Sequence, residues 1–120
     1  MVKAVTHGMR GECDFTYHFG YPPVETDPEF TKKFAKTCEK VVGKENIKTL
    51  SSPTMGGEDI AYFLERVPGT FFFLGAGNEE KGITYPHHNA KFDLDEDVLW
   101  KGTALLAQGA VDWLADNSHR

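Results

Sequence analysis

The chain has 120 residues and a formal net charge of −5, with acids and bases interspersed. Apolar residues make up 40% and aromatics 12%, nine of them Phe, which is a folding composition and excludes intrinsic disorder. No basic stripe interleaved with aromatics supports nucleic-acid binding, and the longest apolar run, Phe71 to Ala76, is too short to cross a bilayer. Cys13 and Cys38 lie far apart with no C-x-x-C spacing, and MVKAVTHGMR at the N-terminus lacks the apolar core of a signal peptide. A reduced, cytoplasmic setting is therefore expected.

In chain order, ECDFTYHF at residues 12–19 alternates Cys13, Phe15, Tyr17 and Phe19 with polar residues, which predicts a strand with one buried face. Gly20-Tyr21-Pro22-Pro23 cannot continue a ladder and predicts a stiff connector. Asp27 as N-cap, Pro28 at the first helical position and Gly43 as terminator predict a helix whose inner face is Phe30, Phe34, Cys38 and Val41. Residues 47–50 predict a short strand. Ile60, Phe63, Leu64 and Val67 predict a helix over 58–67, between Gly56-Gly57 and Pro68-Gly69. Residues 70–75 are continuously apolar and predict a strand covered on both faces. GAGNEEKG reads as a polar, glycine-rich loop. A last helix is expected over 97–115, capped by Asp95, with Glu96 and Asp97 suiting its dipole and Leu99, Leu106, Ala110 and Trp113 as its buried stripe. DNSHR reads as a fraying tail. Strands alternating with helices predict an α/β fold, a sheet covered by helices.

Two stretches carry candidate chemistry. His87-His88 stands just beyond the apolar run, in a loop stiffened by Pro86. Such a loop suits a metal-ligating imidazole, and nearby carboxylates could orient the ring. Adjacent side chains point apart, so at most one of the pair is expected to be a ligand. Two surface histidines are the plainer alternative. Gly56-Gly57-Glu58-Asp59 reads either as a glycine turn with acids in the first helical turn, or as a carboxylate presented into a site. A hydrolytic metal site needs three or more protein ligands per ion. His7, His18 and His119 form no ligand motif with the pair, and Ser51-Ser52 has no nucleophile-elbow context. The chain by itself is not expected to complete a catalytic site.

The stretches SSPTMGGEDIAYFLERVPGTFFFLGAGN and HHNAKFDLDEDVLWKGTALLAQGAVDWL, in this order, resemble the C-terminal end of the metal-dependent amidohydrolases, the N-acyl-amino-acid hydrolases of hippurate-hydrolase and auxin-conjugate-hydrolase type. YPPVETDPEF resembles that family's return from its lid to its catalytic domain. The resemblance spans about residues 12–114 and implies a zinc-peptidase-like fold with a dimerising α+β lid. On that reading residues 1–20 are a lid remnant, 21–26 the connector and 27–120 the C-terminal part of the catalytic α/β domain.

The resemblance further implies hydrolysis of the amide of N-acyl amino acids at a centre of divalent metal (Zn, Mn, Co or Ni). His88 falls on the family's final metal-binding histidine. His87, Glu58, Asp59, Gly56 and Gly57 fall on the substrate side or behind the ligand. The family's other ligands and its glutamate base are absent from this sequence. The expectation is therefore a fragment, inactive alone, that associates with itself or with a missing N-terminal part. The alternatives are a non-catalytic interaction module that lost its metal site, and a small globular domain with fortuitous motifs.

Overall fold

The computed structural model describes residues 1–118, so His119 and Arg120 of the expected tail lie outside the described residues. Four α-helices follow in order: α1 (Val2–Gly8), α2 (Pro28–Val42), α3 (Ala61–Leu64) and α4 (Leu99–Asn117). Short 3-10 turns occupy Lys44–Asn46 and Glu96–Val98.

α2 forms for the reasons its sequence announces. Asp27 sits in extended backbone and its Oδ1 accepts the Phe30 N–H at 2.7 Å, Pro28 opens the helix, and Gly43 ends it at φ 82°. Cys38 is buried on the inner face, and Phe30, Phe34 and Val41 are half-buried. α3 is shorter than the helix expected over 58–67, but i+3 and i+4 hydrogen bonds run from the Glu58 carbonyl to the Val67 N–H. The expected element is therefore present as an irregular turn around one helical turn. α4 begins after the 3-10 turn, and Asp95 caps that turn, accepting the Asp97 N–H at 3.2 Å, not α4 itself, whose N-cap residue Val98 makes no side-chain cap bond.

α2 lies against α4. The Phe34 ring rests on Gly109, where an added Cβ would stand 2.7 Å from Phe34 Cε2, and Phe30 meets Trp113 at 4.9 Å between ring centroids. The buried line of α4 is therefore Leu105, at 5% exposure, with half-buried Gly109 and Asp112. This corrects the expected stripe: Leu99, Leu106 and Trp113 are exposed, as is Ala110. α4 is apolar on two adjoining sides, and periodicity could not say which side meets α2.

No strand forms among the described residues, so the sheet of the expected α/β fold is not seen; the sole β pairing is an isolated antiparallel bridge between Asn78 and Ile83. Residues 12–19, 47–50 and 70–75 run without helix or ladder. The physical reason is that a strand is stabilised by its neighbours, and a lone one has only the entropy cost of ordering. Phe15, Tyr17 and Phe19, the expected buried face of the first strand, are exposed. Residues 70–74 nonetheless keep a strand's alternation. Thr70 bonds Thr31 on α2 at 3.0 Å, Phe72 stacks on Phe34 at 5.3 Å, and Leu74 abuts Gly102 of α4. Phe71 and Phe73 stack edge to face on each other at 5.2 Å, and Phe73 is exposed. One face of this segment is covered by helices and the other, with Phe71 half-buried and Phe73 exposed, is only partly covered, where both were expected to be covered.

Candidate functional site

The loop carrying His87 and His88 is closed at its neck. The Asn78 N–H donates to the Ile83 carbonyl at 2.9 Å and the Ile83 N–H to the Asn78 carbonyl at 2.8 Å, with Gly82 at φ 73° making the turn between them. On the far side of the loop the Asp95 N–H donates to the Ala76 carbonyl at 2.8 Å. The Asp95 carboxylate receives Asn78 Nδ2 at 2.6 Å and Lys81 Nζ at 2.6 Å, and Lys81 also reaches Asp97 at 2.5 Å. Ile83 and Asp95, the two ends of residues 84–94, are thereby joined through Asn78. The ammonium of Lys81 and the amide of Asn78 hold the buried Asp95 carboxyl down at about 2, against the desolvation that would raise it. Asp95 and Asp97 in turn push the Lys81 ammonium up.

Within the loop, the Asn89 N–H donates to the Pro86 carbonyl at 3.3 Å, and His88 has φ 65°. This is the arrangement of a type II turn with His88 at the position that favours glycine or asparagine. A residue with a Cβ is strained there, by about 1–3 kcal/mol, and such strain concentrates at functional sites. The Phe92 N–H donates to the Asn89 carbonyl at 2.9 Å, and the Lys91 N–H to Asn89 Oδ1 at 2.8 Å. His87 packs edge to face on Phe92 at 4.9 Å, whereas the rings of His87 and His88 are 6.5 Å apart and nearly perpendicular. Both histidines are exposed, and neither ring makes a hydrogen bond among the described residues. The nearby carboxylates do not orient them: Asp95 is engaged at the neck and Asp93 accepts the Leu94 N–H.

Gly56, Gly57, Glu58 and Asp59 form a second exposed turn. Tyr21 packs over Gly57, where a Cβ would meet its ring at 3.4 Å, and Tyr21 stacks on Tyr62 at 5.9 Å. The carbonyls of Glu58 and Asp59 accept the N–H groups of Ala61 and Tyr62, so this motif opens α3. Among the described residues no three His, Cys, Asp or Glu side chains converge as a metal-holding group. His7 stands exposed on α1, and His18 stands exposed in the irregular segment 12–19.

Two clusters escaped the sequence reading. One is Asn78, Lys81 and Asp95 at the neck, concealed in a stretch that read as a polar glycine-rich loop; its one local signal is the N-x-x-K-G spacing of a tight turn. The other is Asp112, which receives Thr37 Oγ1 at 2.6 Å, Lys40 Nζ at 2.6 Å and Gln108 Nε2 at 2.8 Å, fastening α4 to α2. No pattern in the sequence announces bonds between residues this far apart. No helix among the described residues is long and apolar enough to cross a membrane.

Comparison with known proteins agrees with the motifs. The chain is 42% identical over 90 residues to thermostable carboxypeptidase 1 of Saccharolobus solfataricus, covering 72% of the chain and 22% of that protein. It is 35% identical over 112 residues to the N-acetyldiaminopimelate deacetylase of Enterococcus faecalis, covering 88% and 28%. It is 33% identical over 99 residues to the IAA-amino acid hydrolase ILR1-like 2 of Arabidopsis thaliana, covering 82% and 22%. The chain thus spans about a quarter of the length of the curated relatives it matches. These similarities define its class, the metal-dependent amidohydrolases and the peptidases related to them. The sequence profile of peptidase family M20/M25/M40 matches residues 2–111, and the chain belongs to that family.

Proposed function

We propose that the chain forms the closing part of the catalytic domain of an amidohydrolase acting on N-acyl amino acids or similar small amides, and that it is inactive alone. One observation carries the reading: in a member of this family, an exposed histidine is held at φ 65° on a loop whose ends are bonded together. The names of relatives, an IAA-amino acid hydrolase and an N-acetyldiaminopimelate deacetylase, support the substrate class.

The donor set fits one ligand of a divalent ion (Zn, Mn, Co or Ni), since the two rings of the pair are turned apart and no group of three donors forms among the described residues. When bound, such a metal supplies Lewis acidity toward an amide carbonyl. His88 would hold it through a neutral imidazole nitrogen. His87, Glu58 and Asp59 would line the substrate side, with Gly56-Gly57 allowing close approach of the backbone. The remaining ligands and the general base come from outside this chain. Residues 1–20 would belong to a lid, 21–26 to the connector and 27–120 to the catalytic α/β domain. Residues 12–19, 47–50 and 70–75 would become strands beside their neighbours. Exposed Phe73, stacked on half-buried Phe71, supports this, because it leaves part of that side of the segment open where a sheet would be packed. The neighbours would be the N-terminal part of such a domain, with a second copy pairing through the lid.

The test is a chimera in which this chain replaces the matching segment of the Saccharolobus solfataricus carboxypeptidase. The chain alone should release no amino acid from a hippurate-type substrate. The chimera should do so, and His88→Ala should lower its rate by at least about 100-fold, since even partners of a ligand are worth 10- to 100-fold. Chelator-sensitive cleavage by the chain alone, or undiminished metal content and activity in the His88→Ala chimera, would overturn the reading. A chimera that folds and binds metal without hydrolysis would favour an interaction module.

A further inference from the structure

We infer that Asn78 and Lys81 are positioning residues for His88, acting through the neck of its loop; this rests on the reading of His88 as a ligand. A loop presents a side chain accurately only if its ends are fixed relative to one another, because the freedom of the ends is passed on to everything between them. Here five contacts fix the ends: the Asp95 N–H bond to the Ala76 carbonyl, and four that involve Asn78 or Lys81. The Asn78 backbone exchanges two hydrogen bonds with Ile83 at the entry, and its side chain donates to Asp95 at the exit, 2.6 Å away. Lys81 completes the closure from the turn between, on the other oxygen of the same carboxylate.

The side chains are suited to that task. Asn78 Nδ2 links the entry of the neck directly to Asp95, while Asn78 Oδ1 accepts the Lys81 N–H at 3.2 Å and so sets the turn that carries the ammonium. Asp95 is buried although charged, and both of its oxygens are engaged. A buried carboxylate that lost either partner would be left partly unpaired. Asp95 also caps the turn into α4, so the neck is tied to the longest helix of the chain. Inside the neck the Pro86–Asn89 turn and the His87–Phe92 contact leave few ways for the His88 backbone to move. Among the described residues neither the Asn78 nor the Lys81 side chain bonds to His88, so their effect is transmitted through the backbone of the loop.

The experiment is backbone NMR relaxation on the 120-residue chain without metal, comparing wild type with Asn78→Ala, Lys81→Met and Lys81→Arg. In the wild type the His88 amide order parameter is expected near the rigid value of about 0.85, falling below about 0.6 in Asn78→Ala and in Lys81→Met. α2 should keep its order parameters in every variant, and Lys81→Arg, which can still donate to Asp95, should restore His88. An unchanged His88 in both disrupting variants would overturn the inference. So would a loss of order that α2 shares, or a failure of Lys81→Arg to rescue. With no metal present the measurement reads the neck alone, while the His88→Ala chimera reads the ligand, so one can fail without the other.

Discussion

Asp112 shows how much of this structure rests on single polar side chains. Its carboxyl is held at about 2, below the usual range, chiefly by Lys40 and then by the hydroxyl of Thr37 and the amide of Gln108. A carboxyl whose folded pKa is depressed contributes stability above its unfolded pKa, near 3.8, and loses it as pH falls toward 2. The α2–α4 pair should therefore melt at a falling temperature between about pH 4 and pH 2. Asp112→Asn should flatten that part of the profile, and circular dichroism melts of both proteins over pH 2–5 will show it. The residual slope in the variant includes Asp95, which is depressed in the same direction. Because Lys40 is largely exposed, added salt should weaken the effect. His88 is legible as a candidate at this scale from its neighbours in sequence. Its strained backbone and the closure of its loop are not, since they depend on Asn78 and Asp95 meeting in space.

Among the elements, α2 was fully legible because its signals are local: a cap, a proline and a terminating glycine act within a few residues. α4 was legible in extent but not in orientation. Its expected stripe of Leu99, Leu106, Ala110 and Trp113 lies to one side of the observed line of Leu105, Gly109 and Asp112. Small and polar residues on that line allow the Phe34 ring to lie on the backbone of α4 and let Thr37 and Lys40 reach Asp112. A sequence reading that weighs only large apolar residues passes over them. Gly109→Ala tests the contact. Its methyl would stand 2.7 Å from the Phe34 ring, closer than packing permits, so the rings must shift. The variant should lose about 1–3 kcal/mol by urea denaturation, despite the higher helix propensity of alanine. Equal or greater stability would mean that α2 and α4 do not press together at this point.

The whole molecule is open: its radius of gyration is 20.3 Å, where a compact chain of this length has about 14 Å. Leu99, Trp100, Leu106, Val111 and Leu114 are exposed along α4, and only Cys38, Ala61 and Leu105 are buried apolar residues among those described. If α4 covers a sheet in the assembled enzyme, its exposed side is an interface in waiting. Leu106→Glu should then leave the urea stability of the isolated chain within about 0.5 kcal/mol, as for other exposed positions. In the chimera it should abolish soluble assembly. Equal assembly of the two chimeras would show that this side stays in water. What the sequence by itself determined is whatever depends on near neighbours: α2 and its cap, the extent of α4, the turns around Gly56-Gly57 and Pro86, and the motifs that mark the family. The tertiary structure alone decided which side of α4 is inner, how Asp95 closes the His88 loop and how the apolar segment 70–74 divides between a covered and a partly open face. The strands stayed beyond both, because a strand's stability lies in bonds to its neighbours, whereas a helix makes its bonds within itself.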